Sequence, residues 1–380
     1  MIKRYSVFGV VKTVLRSVSA QAFPCAVALA VAFFASAACN ADDLVRYLVK
    51  TETGAYEERS VEGVIVAVSP DGIELEMKDQ NALAENPIPS ERVLWILLQG
   101  APINLAAARV ETEVGNYEEA LEKLDDIKPE DADPQQYPLV AAEIDWYRAY
   151  ASLQLALADA GTFSEGGTAM NEFCKEHPDS YRYYEGRRLL GDALYAMSNL
   201  QTQSARRQRN LDNAREAYST LERANSEIVR ARGKLGLATV ALAADELDDA
   251  ETLFNEVAQH SEFDVEYAEA TIGLARTTAR QGRTEEATEL LNELLSVTPN
   301  DSTLRRAKIY NALGDVLADA NRPQEAVVAY LHIDLLYPAA RTERVAALKA
   351  LVGQWRKLGR EDRARETIER LRERFNVDVR

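Results

Sequence analysis

Gly282-Arg283-Thr284-Glu285-Glu286-Ala287, followed by Leu291 and Pro299, returns 39 residues later as Asn321-Arg322-Pro323-Gln324-Glu325-Ala326, followed by Tyr330 and Pro338. Twelve places before each Ala stands another small residue, Ala275 in one copy and Gly314 in the other. The spacing has a physical cause. Two antiparallel helices approach closely only where side chains are small, and a Pro twelve residues past the Ala ends the second helix. Residues 274 to 338 are therefore predicted as two helical hairpins built on one plan.

The plan extends in both directions. Leu237-Ala238, Ala250 and Phe254 carry it upstream, and Leu351-Val352, Gly359, Ala364 and Ile368 carry it downstream. Nearer the front, Ala107-Ala108, Gly115, Ala120 and Leu124 fit. Leu190-Gly191 opens a unit whose second helix, Ala214 to Leu221, is delayed by an insertion around Gln201 to Asn210. The weakest unit, Trp146 to Pro178, has Gly166 in the Ala place but keeps Phe173 and Pro178. This pattern resembles the tetratricopeptide repeat (TPR) over about 280 of the 380 residues. The resemblance implies a mainly α fold, a right-handed α-solenoid of about seven helical hairpins over residues 101–380. From Ala214 on, successive Ala positions lie 36, 37, 39 and 38 residues apart, above the family's usual period of about 34, so helices or turns are slightly long.

Residues 42–100 follow another rule. Gly63 to Val68 and Ile73 to Met77 are rich in strand formers and are joined by Ser69-Pro70-Asp71-Gly72, where Pro presets the turn and Gly supplies positive φ. Ile73, Leu75 and Met77 alternate with Glu74 and Glu76, the period of a half-buried strand. Leu44 to Val49 and Val93 to Leu98 supply flanking strands, with Asn86-Pro87-Ile88-Pro89 as a connector. The expectation is a small β barrel or curled sheet, too small to be very stable alone and leaning on the helices after it.

Residues 1–41 carry Lys3, Arg4, Lys12 and Arg16 and no acid, and an apolar run from Ala22 to Ala38 precedes Asp42-Asp43. That order is the order of a secretory signal peptide. Cleavage after Ala37 or Ala41 is favoured. Lipoprotein-type processing with lipidation of Cys39 competes, and is disfavoured because Ser36 stands where an apolar residue is usual. An uncleaved anchor is the third reading, with an apolar run broken by Pro24 and short for a membrane core of about 30 Å. All three export residues 42–380, to a bacterial periplasm or cell envelope.

Composition narrows the function. With 44 Lys+Arg against 61 Asp+Glu the formal charge is -17, which disfavours nucleic acid. The Cys and His residues show no C-x-x-C or H-E-x-x-H spacing, and no Walker A, G-x-S-x-G or G-x-G-x-x-G stretch occurs, so no metal, cofactor or catalytic residue is expected. His177 reads as a helix-end cap, His260 and His332 as structural, and Cys174 as a buried small hydrophobe. Tyr181, Tyr183, Tyr184 and Tyr195 with Arg182, Arg187 and Arg188 have the composition of an interface as much as of a core.

The TPR resemblance implies a concave groove lined by the first helix of each unit. Carried onto the four best-aligned units, it selects Arg232, Arg276, Arg280, Lys308, Asn311, Lys349, Arg356 and Lys357, with Glu269, Asp315 and Asp319 as the acids. Seven basic against three acidic residues would attract acidic peptides or C-terminal carboxylates. The competing reading is a set of solvated faces paired with acids on neighbouring helices. The expected function is a non-catalytic protein-protein interaction scaffold that binds protein or peptide, with membrane contact only through the N-terminal segment. The alternative is a ligand-binding or enzymatic accessory protein with its site on the β module, where Glu57, Glu58, Arg59, Glu74 and Glu76 lie without metal-like spacing.

Overall fold

The computed structural model describes residues 42–51, 56–77, 85–158, 163–260 and 264–378, so the N-terminal signal, its cleavage points and Cys39 lie outside the described residues. Five strands, β1 (Asp43–Lys50), β2 (Tyr56–Ser69), β3 (Gly72–Glu76), β4 (Ile88–Pro89) and β5 (Val93–Leu97), form one antiparallel sheet in the order β4-β3-β2-β1-β5. The expected hairpin is β2–β3, paired from Val64 with Glu76 to Ser69 with Gly72. Ile73 and Leu75 are buried, while Glu74 and Glu76 are exposed. Of the two shapes expected for this module, a small barrel or a curled sheet, the structure has the sheet, open because β4 and β5 lie at opposite edges and do not pair. A two-residue β4 is too short to close a barrel, and the Asn86 amide bonds Leu75 N and O at 3.1 and 2.9 Å instead. The stretch Ile88–Pro89, expected as a connector, is thus a strand.

Fourteen α-helices follow among the described residues, paired as seven hairpins. They are α1 (Ile103–Val114) with α2 (Tyr117–Asp125), α3 (Pro138–Ala158) with α4 (Phe163–Glu176), and α5 (Tyr183–Leu200) with α6 (Ser204–Ser219). Then come α7 (Glu227–Ala243) with α8 (Leu247–Ala258), α9 (Asp264–Arg280) with α10 (Thr284–Val297), α11 (Thr303–Asp319) with α12 (Pro323–Leu336), and α13 (Arg341–Lys357) with α14 (Glu361–Phe375). The spacing-setting Ala residues 120, 214, 250, 287, 326 and 364 are each 0% exposed, and Leu124, Tyr218, Phe254, Leu291 and Tyr330, four places on, are at most 3% exposed. Five of the turns inside hairpins use a left-handed residue, Gly115, Asp245, Gly282, Asn321 or Gly359, with φ between 57° and 87°. Gly, Asn and Asp enter that region at least cost, which explains why Asn321 can stand for Gly282.

Two local expectations are refined. The insertion around Gln201 to Asn210 is not a loop, because α5 runs to Leu200 and α6 starts at Ser204; the added residues lengthen the helices to 18 and 16 residues. Gly166 replaces Ala in α4 because a Cβ there would lie 2.6 Å from Ser152 O and 2.8 Å from Leu153 Cα.

The chain divides into two compact units, residues up to Gly233 and residues from Lys234 on, with the division inside α7. In the first unit the sheet shares a core with the helices, where Val45, Tyr47, Ile73 and Ile96 join Leu105, Ile144 and Phe173. Asp71, in the β2–β3 turn, accepts bonds from Asn225 N and Nδ2 at 2.8 and 2.7 Å, and Glu91 accepts one from Ser226 Oγ at 2.7 Å. The module leans on helices, as its size requires. The second unit has one core around Leu291 and Ile309 and another around Tyr330, Leu348 and Phe375.

Candidate functional site

Ten of the eleven expected groove residues lie on the first helices of the second unit, α9, α11 and α13. Arg276 Nη2 bonds Asp315 Oδ2 at 3.0 Å and Lys308 Nζ bonds Glu269 Oε1 at 2.5 Å, so α9 and α11 are joined by two ion pairs. Both pairs link positions 39 residues apart, the repeat period itself. At equivalent places in successive units the sign of the charge alternates, and neighbouring helices consume each other's charge. Arg280 donates to Asp245 Oδ1 at 2.8 Å and to the Leu242 carbonyl at 2.6 Å, closing the C-terminal end of α7. Asn311 Nδ2 donates to Glu343 Oε2 at 2.6 Å and tethers α11 to α13. The cations of α9 and α11 are thus paired within the fold, and such half-exposed pairs contribute about 0–1 kcal/mol each.

On α13 the alternation stops at two places and continues at a third, where Lys357 stands opposite in sign to Asp319. The residues equivalent to Lys308 and Asp315 are Ala346 and Gly353, so no carboxylate stands there. Lys349, Arg356 and Lys357 are exposed, and their side chains have no hydrogen-bond or ion-pair partner among the described residues. Nothing lies within 4 Å of where a Cβ on Gly353 would sit.

Arg232 belongs to the first unit, where it acts on Glu185. Burial pushes that carboxyl up, but Arg188, ion-paired at 2.7 Å, and then Arg232 outweigh it and bring it down to about 2 from an ordinary 4.5. A depressed carboxylate contributes stability that is present above its unfolded value and lost as pH falls toward about 2. Arg188→Gln should therefore shift acid unfolding in the window from about pH 4.5 to about 2 toward higher pH, read by far-UV circular dichroism. With the Glu185 side chain 42% exposed, the stability at stake is no more than about 1 kcal/mol.

The tyrosine–arginine group is partly internal. Glu143 of α3 accepts from Arg182 Nε at 2.9 Å, Arg182 Nη2 at 3.1 Å and Tyr181 OH at 3.0 Å. Arg182 also donates to Tyr147 OH at 3.2 Å and lies over the Trp146 ring. Glu143, Tyr181 and Arg182 are all buried, so Tyr181 and Arg182 pack a core and offer no interface. Glu143 escaped sequence reading, although an acid inside the apolar run Val140 to Ile144 is the signal that marks it.

The remaining singled-out residues are structural in placement. Among the described residues, the one gathering of three metal-type ligands is Asp145, Glu176 and His177. His177 Nε2 lies 2.9 Å from Asp145 Oδ2 and its ring packs on Phe173, tying the end of α4 to α3. His332 stacks on Tyr310 at 4.7 Å. Of the acids on the β module, Glu58 pairs with Arg46 at 2.5 Å. Cys174 is 4% exposed, and burial pushes its thiol up to about 12. Buried and held as the thiol, Cys174 should stay unmodified by iodoacetamide in the native protein and be alkylated in denaturant, as peptide mapping would show.

Residues 179–333 match the model of a family described as a tetratricopeptide repeat-like domain. No curated protein sequence matches the chain. A solved Rap protein complexed with competence and sporulation factor is 13% identical, covering 71% of this chain and 75% of that chain with a TM-score of 0.46. The Rap conjugation gene regulator of plasmid pLS20, in complex with the Phr* peptide, is 13% identical over 71% of this chain and 82% of that chain, with a TM-score of 0.47. A thermophilic TPR protein in Thermus thermophilus is 18% identical over 66% and 98%, with a TM-score of 0.33. In fold the chain is TPR-like: seven helical hairpins, matching the family's model from α5 into α12, preceded in sequence by an open antiparallel sheet.

Proposed function

We propose that this chain is a non-catalytic protein-protein interaction scaffold of a bacterial periplasm or cell envelope, and that it engages a partner through the exposed cationic face of α13. One observation carries the reading: Lys349, Arg356 and Lys357 keep their charge unspent, whereas Arg276, Arg280 and Lys308 spend theirs on neighbouring helices. Positions 349, 353 and 356 fall on one helical stripe, with Gly353 as its low point, so an acidic loop or strand can approach the backbone between two cations. Stacked hairpins offer extended surfaces of this kind. The basic, apolar and small-residue order of residues 1–41 supports export.

The function is tested by capture from an envelope extract with Lys349→Glu, Arg356→Glu and Lys357→Glu combined, followed by direct binding of the purified partner. Loss of capture at an unchanged melting temperature is expected. Capture equal to that of the unaltered protein would sink the reading. Location is tested by mass spectrometry of the mature N-terminus, where an intact Met1 in a cytoplasmic fraction would overturn export.

A further inference from the structure

A groove of about 350 Å³ opens within the second unit between α12, α13 and α14. Its floor is Leu331, Leu348, Leu351 and the half-buried Trp355, and its rim carries Arg360, Arg363 and Arg370 against Glu366. Val328 and Leu335 stand three and four residues from Leu331, so they share its face of α12 and prolong the apolar wall. They are 55% and 71% exposed.

The rim keeps a small positive excess, four guanidinium groups (Arg344, Arg360, Arg363 and Arg370) against three carboxylates (Asp334, Asp362 and Glu366). Arg360 bonds Asp362, Arg363 bonds Glu366, and Arg370 bonds Asp334 and lies 3.6 Å from Glu366, so each of the three is paired within the fold and what it offers a partner is its unused guanidinium donors. Asp334 is further shared with Arg344 at 2.9 Å, so one buried carboxylate serves two guanidinium groups. Residues 341–380 hold twelve basic and seven acidic residues, a net of +5 in a chain of -17.

Spacing defines what fits. Arg363 and Arg370 lie two helical turns apart, about 10.5 Å along α14. Carboxylates at that separation on a partner helix are likewise seven residues apart, and the residue three or four along from the first faces the same way. We propose that the groove takes an acidic amphipathic helix of a protein partner, with a large apolar residue on the Leu348–Leu351–Trp355 floor and flanking carboxylates on Arg363 and Arg370. The proposal rests on the scaffold reading and deepens it, placing a second contact on a face of α13 different from the one that bears Lys349 and Arg356.

The probe is a fluorescein-labelled, alanine-based peptide of about 16 residues, long enough to be helical, with a glutamate, a leucine three places on and a glutamate four further. Its twin carries lysine for glutamate. Fluorescence anisotropy with the purified chain should show the glutamate peptide binding about tenfold tighter than its twin or better. Binding should weaken as salt rises from about 50 to about 300 mM. Combining Arg363→Glu with Leu335→Glu, both exposed positions, should raise Kd about tenfold at an unchanged melting temperature. Lys349→Glu with Arg356→Glu should leave peptide binding intact, so failure here and failure of the scaffold reading are separable. Equal binding of the twins, an unchanged Kd in the groove variant, or association with phosphatidylglycerol vesicles in place of the peptide would each overturn the proposal.

Discussion

Arg182→Leu is expected to destabilise the first unit by about 3–5 kcal/mol, because it strands the Glu143 carboxylate in the core without its bidentate partner. Glu143 is 4% exposed and receives two of its bonds from Arg182 at 2.9 and 3.1 Å. Tyr181 alone remains to satisfy it, and the Trp146 ring loses the guanidinium 4.8 Å from its centroid. The magnitude measures the penalty of an unpaired buried charge, not the net worth of the pair. Glu143→Leu combined with Arg182→Leu should therefore recover most of the loss. Urea unfolding of both variants decides it. A single mutant within about 1 kcal/mol of the unaltered protein would show that water reaches Glu143.

What the sequence discloses and what it conceals divide along a physical line. Helical hairpins are legible because their signal is local. An Ala twelve residues after another small residue is a packing requirement, and Ala120, Ala250, Ala287 and Ala326 are buried for that reason. The β2–β3 hairpin is legible by alternation, but β2 begins seven residues before Gly63 because Glu57-Glu58-Arg59 pairs with β1 where apolar patterning is silent. Whether the sheet closes depends on how its edges meet, which no period of two reports. Groove electrostatics fail for a different reason. A list of seven cations and three acids counts charge, whereas the fold pairs it, joining Glu269 to Lys308 and Arg276 to Asp315. That pairing is visible in sequence once equivalent positions are compared for sign from one repeat to the next. The same comparison marks α13, where Ala346 and Gly353 break the alternation, as the place where charge is left over.

Gly314 and Tyr330 give the sharpest test of why the repeat has its form. A Cβ on Gly314 would lie 2.4 Å from Tyr330 Cε1, while Tyr330 is 2% exposed and its hydroxyl donates to Asp315 Oδ1 at 2.8 Å. The ring cannot retreat without losing that bond or opening its core. Tyr330→Ala is expected to cost the second unit about 3–5 kcal/mol, as truncation of a buried aromatic leaves a cavity. Gly314→Ala is expected to cost about 1–3 kcal/mol through overpacking, even though Ala is the better helix former. Gly353 on α13 supplies the control, since an added Cβ there meets nothing within 4 Å. Gly353→Ala should stabilise by about 0.5–1 kcal/mol, the ordinary gain of exchanging Gly for Ala inside a helix. One substitution at two sites in the same unit then has opposite signs. Denaturant melts that show the same sign at both would remove close helix approach as the reason for a small residue at this place in the repeat. In a Tyr330→Leu background the penalty of Gly314→Ala should shrink, because the atoms that the new Cβ would strike are gone.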